Sequence, residues 1–232
     1  TLFPYTTLFR SGGAAGAASL RGLQTHADDE RDRVFRGAWQ FAGHERDVPE
    51  AGDFATLDLV ALRALIVRDA RAAIRAFRNA CRGVPHALVT ARRGHSTDGR
   101  IACEVHGLAY GLDGRALPPR DGAGLLELDV HRAQGLIFVR SPLTAATTRR
   151  WPEPELDGLG DVSSWSPGSE FTAETAADWK TVVRTLLDTG ARRFVAPNLL
   201  IEESAEGLGI VQVLPTGAGR STVRRFSYAR EA

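Results

Sequence analysis

Methionine is absent from all 232 residues, position 1 included, and Lys180 is the only lysine. Arg, Ala and Gly carry the composition instead, a usage expected of a GC-rich bacterial gene, and the missing start residue suggests a fragment. Cysteine is scarce as well: Cys81 and Cys103 are the only two. Two cysteines exclude a multi-bridge disulfide framework, and each has a histidine close behind it, which favours a metal site over a single disulfide. Charge of one sign is also lacking. With 29 basic and 28 acidic residues the net charge is +1, which leaves no electrostatic footprint for nucleic acid or an anionic membrane. No apolar run approaches the roughly 18 residues of a membrane span. What remains is 43% hydrophobic and 25% charged residues, enough core material for one or two soluble, cytoplasmic-type globular domains.

The chain divides by pattern into four parts. Residues 1–11, "TLFPYTTLFRS", show no polar–apolar period, no basic start and no small-residue cleavage site, so they make a poor targeting peptide. They read as the in-frame translation of a short-read sequencing adapter and are set aside as an artefact. Residues 12–33 are small and then charged, the pattern of a flexible lead-in. Residues 34–141 carry short β-rich runs separated by turn-sized gaps, among them "FATLDLV", "ALIVRD", "AIRAFRN", "GRIACEV", "LAYGLDG" and "GLIFVR", with an Asp113–Gly114 turn. They predict a small antiparallel β domain with Cys/His loops at strand ends.

Residues 142–232 begin with a Pro/Gly/Ser-rich connector that runs to about Glu170. The stretch "TAADWKTVVRTLLDTG" then places Trp179, Val182, Val183, Leu186 and Leu187 on one helical face, with Thr175 and Asp178 at capping-box spacing and Gly190 as the stop. Three strands are predicted after it, in "RRFVAPNLLIEES", "LGIVQVLP" and "STVRRFSYA". The fold class expected is therefore mainly β, followed by a short α+β unit.

The chemistry concentrates in two stretches. "NACRGVPHALV" holds Cys81 and His86, and "CEVHGLAYGLDGR" holds Cys103 and His106. Two thiolates and two imidazoles suit either a tetrahedral zinc ion or an iron–sulfur cluster that takes two cysteines on one iron and two histidines on the other. Residue types alone do not separate the two. His44 is expected to be a hydrogen-bonded structural residue, and His95 to lie in a solvated loop, "RRGHSTDGR". His26 and His131 have no metal-like neighbours in sequence.

From Trp39 to Val139 the chain resembles the Rieske domain of the α subunits of aromatic-ring-hydroxylating oxygenases. "WQFAGHERDVPEAGDFATLDL", "AFRNAC", "CEVHGLAYGLDGR" and "GLIFVR" stand in the family's order. The family's loops read C-x-H-R-G-x-x-L and C-x-x-H-G; Cys81, Leu88, Cys103, His106 and Gly107 match, whereas Gly83 stands where the first loop's histidine belongs. The resemblance implies a [2Fe–2S] cluster on Cys81, Cys103, His106 and, through an altered turn, His86, with zinc as the alternative. It also implies a reductase or ferredoxin as electron donor and a homo-oligomer.

In that family a helix-grip domain follows and holds a mononuclear iron on two histidines and a carboxylate. Trp179 and Lys180 match its helix, and Asp188 falls at the bridging acid, but the first iron histidine would be Ala191, and no histidine follows His131. Residues 142–232 are thus expected to be a truncated catalytic-domain remnant with no catalytic residue, and oxygenase activity by this chain alone is not expected. A metal-free or zinc-stabilised interaction module, or a fragment without a role, are the competing readings.

Overall fold

A computed structural model describes residues 30, 33–84, 86–119, 124–142, 151–190, 193–205 and 207–230. The adapter-like stretch, most of the predicted lead-in with His26, and Ala191 lie outside the described residues.

The β-rich runs become strands β1 (Gln40–His44), β2 (Asp53–Leu59), β3 (Leu62–Arg68), β4 (Ile74–Arg78), β5 (Arg93–His95), β6 (Arg100–Ala102), β7 (Ala109–Gly111), β8 (Ala116–Leu117), β9 (Asp129–Ala133) and β10 (Leu136–Arg140). They form three sheets, in the orders β4-β3-β2-β5, β6-β7-β8 and β1-β10-β9. Every pairing is antiparallel. The β2–β3 hairpin registers from Phe54↔Val67 to Leu59↔Leu62 and turns through Val60 and Ala61. Leu65, Val67, Phe77, Ile101, Tyr110 and Leu112 are buried together with both cysteines between the four-stranded and the β6-β7-β8 sheets. Burial of each large side chain there contributes about 2 kcal/mol, so the ligand loops stand on a packed floor.

The second unit comprises β11 (Ser166–Thr175), α1 (Trp179–Asp188), β12 (Arg193–Val195), β13 (Leu199–Glu203), β14 (Gly207–Gly217) and β15 (Arg220–Ala229). Its sheet has the order β11-β15-β14-β13-β12. The helix lays the predicted face on this sheet: Trp179 and Val183 are buried, and Val182, Leu186 and Leu187 pack beside them against Val211 and Val213. The opposite face meets β1 and β10, where Trp39, Phe41, Leu136 and Phe138 share one core with Leu199, Ile201, Ile210, Phe226 and Tyr228. The buried Gln212 side chain donates from Nε2 to the Phe41 carbonyl at 3.0 Å across this junction. The molecule is mainly β with a short helix-and-sheet unit, as the sequence predicts.

Four local expectations need correction. The connector does not run to Glu170, because its end forms β11, an edge strand of ten residues paired along β15. Most of that strand is exposed, so it carries no apolar alternation to announce it. The "RRGHSTDGR" stretch is not all loop, since Arg93–His95 pairs with Asp53–Ala55 as β5. The segment "RRFVAPNLLIEES" is two strands rather than one, β12 and β13, paired from Arg193↔Ile201 to Val195↔Leu199. Finally, Asp178 itself caps α1, accepting from the Lys180 backbone N–H, while Thr175 still belongs to β11. The helix ends at Asp188 with Thr189 as its C-cap (φ −93°), so Gly190 stands directly after the cap, at the predicted stop.

Candidate metal centre

The first loop leaves β4 at Arg78 and returns at Val89. Its two ends are clamped by one side chain: Asn79 donates from Nδ2 to the Val89 carbonyl at 2.8 Å and accepts from the Val89 N–H at 2.9 Å. Inside the clamp, the Cys81 N–H reaches back to the His86 carbonyl at 2.9 Å. The second loop joins β6 to β7 and closes in the same way, with the Cys103 N–H on the Leu108 carbonyl at 2.8 Å and the Gly107 N–H on the Cys103 carbonyl at 2.9 Å. Gly107 takes a left-handed conformation, φ +63°, which only glycine adopts at no cost.

The two loops bring all four predicted residues together. One donor atom each from Cys81, His86, Cys103 and His106 lie within 4.8 Å of one another. His106 Nδ1 is 3.4 Å from Cys81 Sγ and 3.5 Å from Cys103 Sγ. His86 Nε2 is 3.2 Å from His106 Nδ1 and 3.5 Å from Cys103 Sγ. Both thiols are buried and unbridged, whereas His86 is half-buried and His106 is exposed. The centre is therefore dry on its sulfur side and open on its imidazole side.

The tautomer of His86 follows from its other contact. Its Nδ1 lies 2.7 Å from the Ala87 carbonyl oxygen, which can only accept, so the proton sits on Nδ1 and the Nε2 lone pair faces the centre. A carbonyl holding the outer nitrogen of a metal-binding histidine is the usual way such rings are oriented. Gly83 faces the same space. A Cβ built there would stand 3.6 Å from His106 Cγ and 3.7 Å from Cys81 Sγ, ordinary contact distances. Position 83 thus points at the centre but offers no donor, and the ring of His86 occupies the centre instead.

Electrostatics favour a thiolate. Burial alone would push the Cys81 thiol up, but the Gly83 and Val84 backbone N–H groups, with the Cys103 and His106 side chains, bring it down to about 6. A thiolate is the metal-ligating form of cysteine. Beneath it the Tyr110 hydroxyl is held above its usual range, by burial first and by the nearby Cys81 charge second.

The other histidines among the described residues lie elsewhere. His44 is buried, with Nε2 2.9 Å from the Val162 carbonyl and its ring stacked on Tyr228 at 4.7 Å. It is a structural residue joining β1 to the second unit, and burial lowers its pKa. His95 is exposed on β5 and paired with Asp53 at 2.8 Å; His131 lies 3.4 Å from Glu153. The residue that sequence reasoning misses is Asn79. No spacing rule marks it, and only the return of the chain at Val89 gives it a role.

Residues 38–122 match the family model of the Rieske [2Fe-2S] domain. The chain carries a Rieske domain. Its relatives are Rieske oxygenase subunits: it is 27% identical over 190 residues to the carnitine monooxygenase oxygenase subunit of Escherichia coli K12, covering 71% of this chain and 47% of that one. It is 31% identical over 122 residues to the biphenyl 2,3-dioxygenase subunit alpha of Rhodococcus jostii, covering 48% and 26%. The chain thus spans about half or less of the curated relatives it matches. Among solved structures the fold matches the quaternary ammonium Rieske monooxygenase CntA with a TM-score of 0.75 at 17% identity, over 88% of this chain and 71% of that one. Naphthalene 1,2-dioxygenase follows with a TM-score of 0.65 at 15% identity, over 89% and 69%.

The donor chemistry fits the group that gives this domain its name. A Rieske [2Fe–2S] cluster takes two thiolates and two neutral imidazoles, and Cys81, Cys103, His86 and His106 are one such set, converging from two loops. Among the described residues no helix is long and apolar enough to cross a membrane.

Proposed function

We propose that this chain is a one-electron carrier of the Rieske type, its [2Fe–2S] cluster held by Cys81 and Cys103 on one side and by His86 and His106 on the other. The observation that carries the reading is the convergence of His86 with the other three donors despite Gly83. When bound, the cluster supplies reversible one-electron transfer at a potential of about −150 to +300 mV, raised because imidazoles replace charged sulfur. The protein's own residues set the conditions. Cys103, at 1% exposure, is kept from water by Ile101, Tyr110 and Leu112. The Ala87 carbonyl fixes the His86 ring, and Asn79 holds the loop that presents it. His106 is exposed, so its ring edge is the exit for the electron, and Val105, next to it in the chain, is exposed as well.

The electron donor is a reductase or ferredoxin, and the acceptor is a partner protein or a second copy of the chain in a homo-oligomer, in a cytoplasmic setting. Oxygen activation is not assigned to this chain alone. A mononuclear iron of the family kind needs two histidines, and residues 142–232 contain none; Asp188 is the ordinary acidic end of α1. Residues 142–232 serve as the scaffold of a catalytic domain, packed on β1 and β10.

The reading is tested by reconstituting the full chain with iron and sulfide under anaerobic conditions and recording absorption and electron paramagnetic resonance. A Rieske spectrum is expected, lost in His86→Ala and recovered in Gly83→His/His86→Ala, because a side chain at 83 enters the same space. A colourless, folded protein would overturn it.

A further inference from the structure

The spacing of the four donors carries information beyond their identity. A cluster with two irons binds both thiolates to one metal and both imidazoles to the other. Each sulfur–nitrogen separation then crosses the iron pair and must exceed the edge of a single coordination tetrahedron. Bonds of about 2.3 Å to sulfur and about 2.0 Å to nitrogen give one tetrahedral ion edges of roughly 3.3–3.8 Å. Here three sulfur–nitrogen separations are 3.4, 3.5 and 3.5 Å, and the nitrogen–nitrogen separation is 3.2 Å. No pair of donor atoms is more than 4.8 Å apart. The four separations of 3.2–3.5 Å match the edges of one tetrahedron.

The first loop explains the compactness. Its imidazole comes from the far end of the loop, turned inward by the Ala87 carbonyl, and presents Nε2 beside His106 Nδ1. Gly83 brings no side chain into the space beside the His106 ring and the Cys81 sulfur, which approach to 3.4 Å.

We propose that the centre has a second, mononuclear occupancy: a single divalent ion of the zinc class, held by Cys81 Sγ, Cys103 Sγ, His86 Nε2 and His106 Nδ1. Four protein donors leave no open position, so the ion is structural and redox-silent. Two thiolates balance its two positive charges, and the protons displaced from the thiols go to solvent. The ion ties the two ligand loops together without the separation of thiolates from imidazoles that the cluster demands. It therefore competes with cluster assembly for the same apo protein. This inference shares with the electron-carrier reading the assignment of His86 as a ligand, but it does not depend on a cluster forming.

The test uses the full apo chain and Co2+ as a spectroscopic substitute for zinc. One equivalent of Co2+ is expected to give the intense visible bands of a tetrahedral site with thiolate charge transfer, and one equivalent of Zn2+ to bleach them. Cys81→Ser should abolish the bands, and His86→Ala should weaken binding by more than about 100-fold, beyond the loss of a mere supporting group. His95→Ala, outside the centre, should leave the titration unchanged, and circular dichroism checks that each variant is folded. Weak, six-coordinate Co2+ spectra, or a titration indifferent to His86→Ala, would overturn the proposal. A Rieske resonance after iron and sulfide treatment with no Co2+ site would sink the mononuclear occupancy alone. A tetrahedral Co2+ site with no Rieske resonance would sink the electron-carrier reading alone.

Discussion

The two ligand loops are built to the same length and solve the same problem differently. In each, the N–H of the cysteine bonds to the carbonyl five residues on, His86 for Cys81 and Leu108 for Cys103. The second loop sends its imidazole from the middle, at His106, and lets Gly107 absorb the turn. The first sends its imidazole from the end, at His86, with a mute Gly83 in the middle and an external clamp at Asn79. A loop with a strong internal turn positions its ligand by its own backbone. One whose ligand sits at the end depends on contacts outside itself. In the proposed centre the first loop's imidazole sits at the loop's end, its ring turned inward by the Ala87 carbonyl.

That difference can be broken or sharpened by substitution. The largest structural effect is expected in the β7–β8 turn, at Gly114. Its backbone is left-handed, at φ +80°, and a Cβ there would overlap the edge of the Phe77 ring. Gly114→Ala should therefore cost about 2–4 kcal/mol through strain and overpacking, read as a lowered midpoint in urea. The first loop should prove more sensitive to its clamp. Asn79→Ala removes two hydrogen bonds and should cost about 2 kcal/mol, with metal affinity falling by about 10- to 100-fold, as measured by competitive chelator titration.

Acidification probes the junction behind β1 instead of either loop. The His44 pKa is lowered, first by burial, so the folded state binds fewer protons than the unfolded state below about pH 6.5. The stability this contributes is present above that value and lost as pH falls through the folded-state pKa. Asp47 acts in the opposite sense: burial raises its pKa, so its contribution is present below the usual carboxylate value and lost as pH rises through the raised one. Denaturant midpoints should therefore drop as pH falls below about 6.5, and the drop should flatten in His44→Gln. The smallest effect is expected at Gly107, where a Cβ meets nothing within 4 Å. Gly107→Ala carries only the left-handed backbone penalty, about 1 kcal/mol, in a thermal melt.

Much of the fold and of the centre is legible in the amino-acid sequence. The longer strands of the first unit show in β-rich runs because they bury a face, and the helix shows because Trp179 and Val183 recur at helical spacing. The four candidate ligands show because cysteine and histidine are rare and paired. Three features are hidden, each for a physical reason. β11 is almost wholly exposed and is held by its partner β15, so burial leaves no mark on its sequence. β5 is a three-residue edge whose pairing depends on Asp53–Ala55, about forty residues earlier. The clamp by Asn79 is a long-range bond to a backbone carbonyl, which no local pattern encodes.

The central claim is that the first loop's imidazole has moved to position 86 and still completes the centre. It is tested most directly by counting histidine nitrogens on the reconstituted, reduced cluster, with 15N-labelled histidine and pulsed electron paramagnetic resonance. Two histidine couplings are predicted for the full chain. A single coupling, that of His106 alone, would contradict the account.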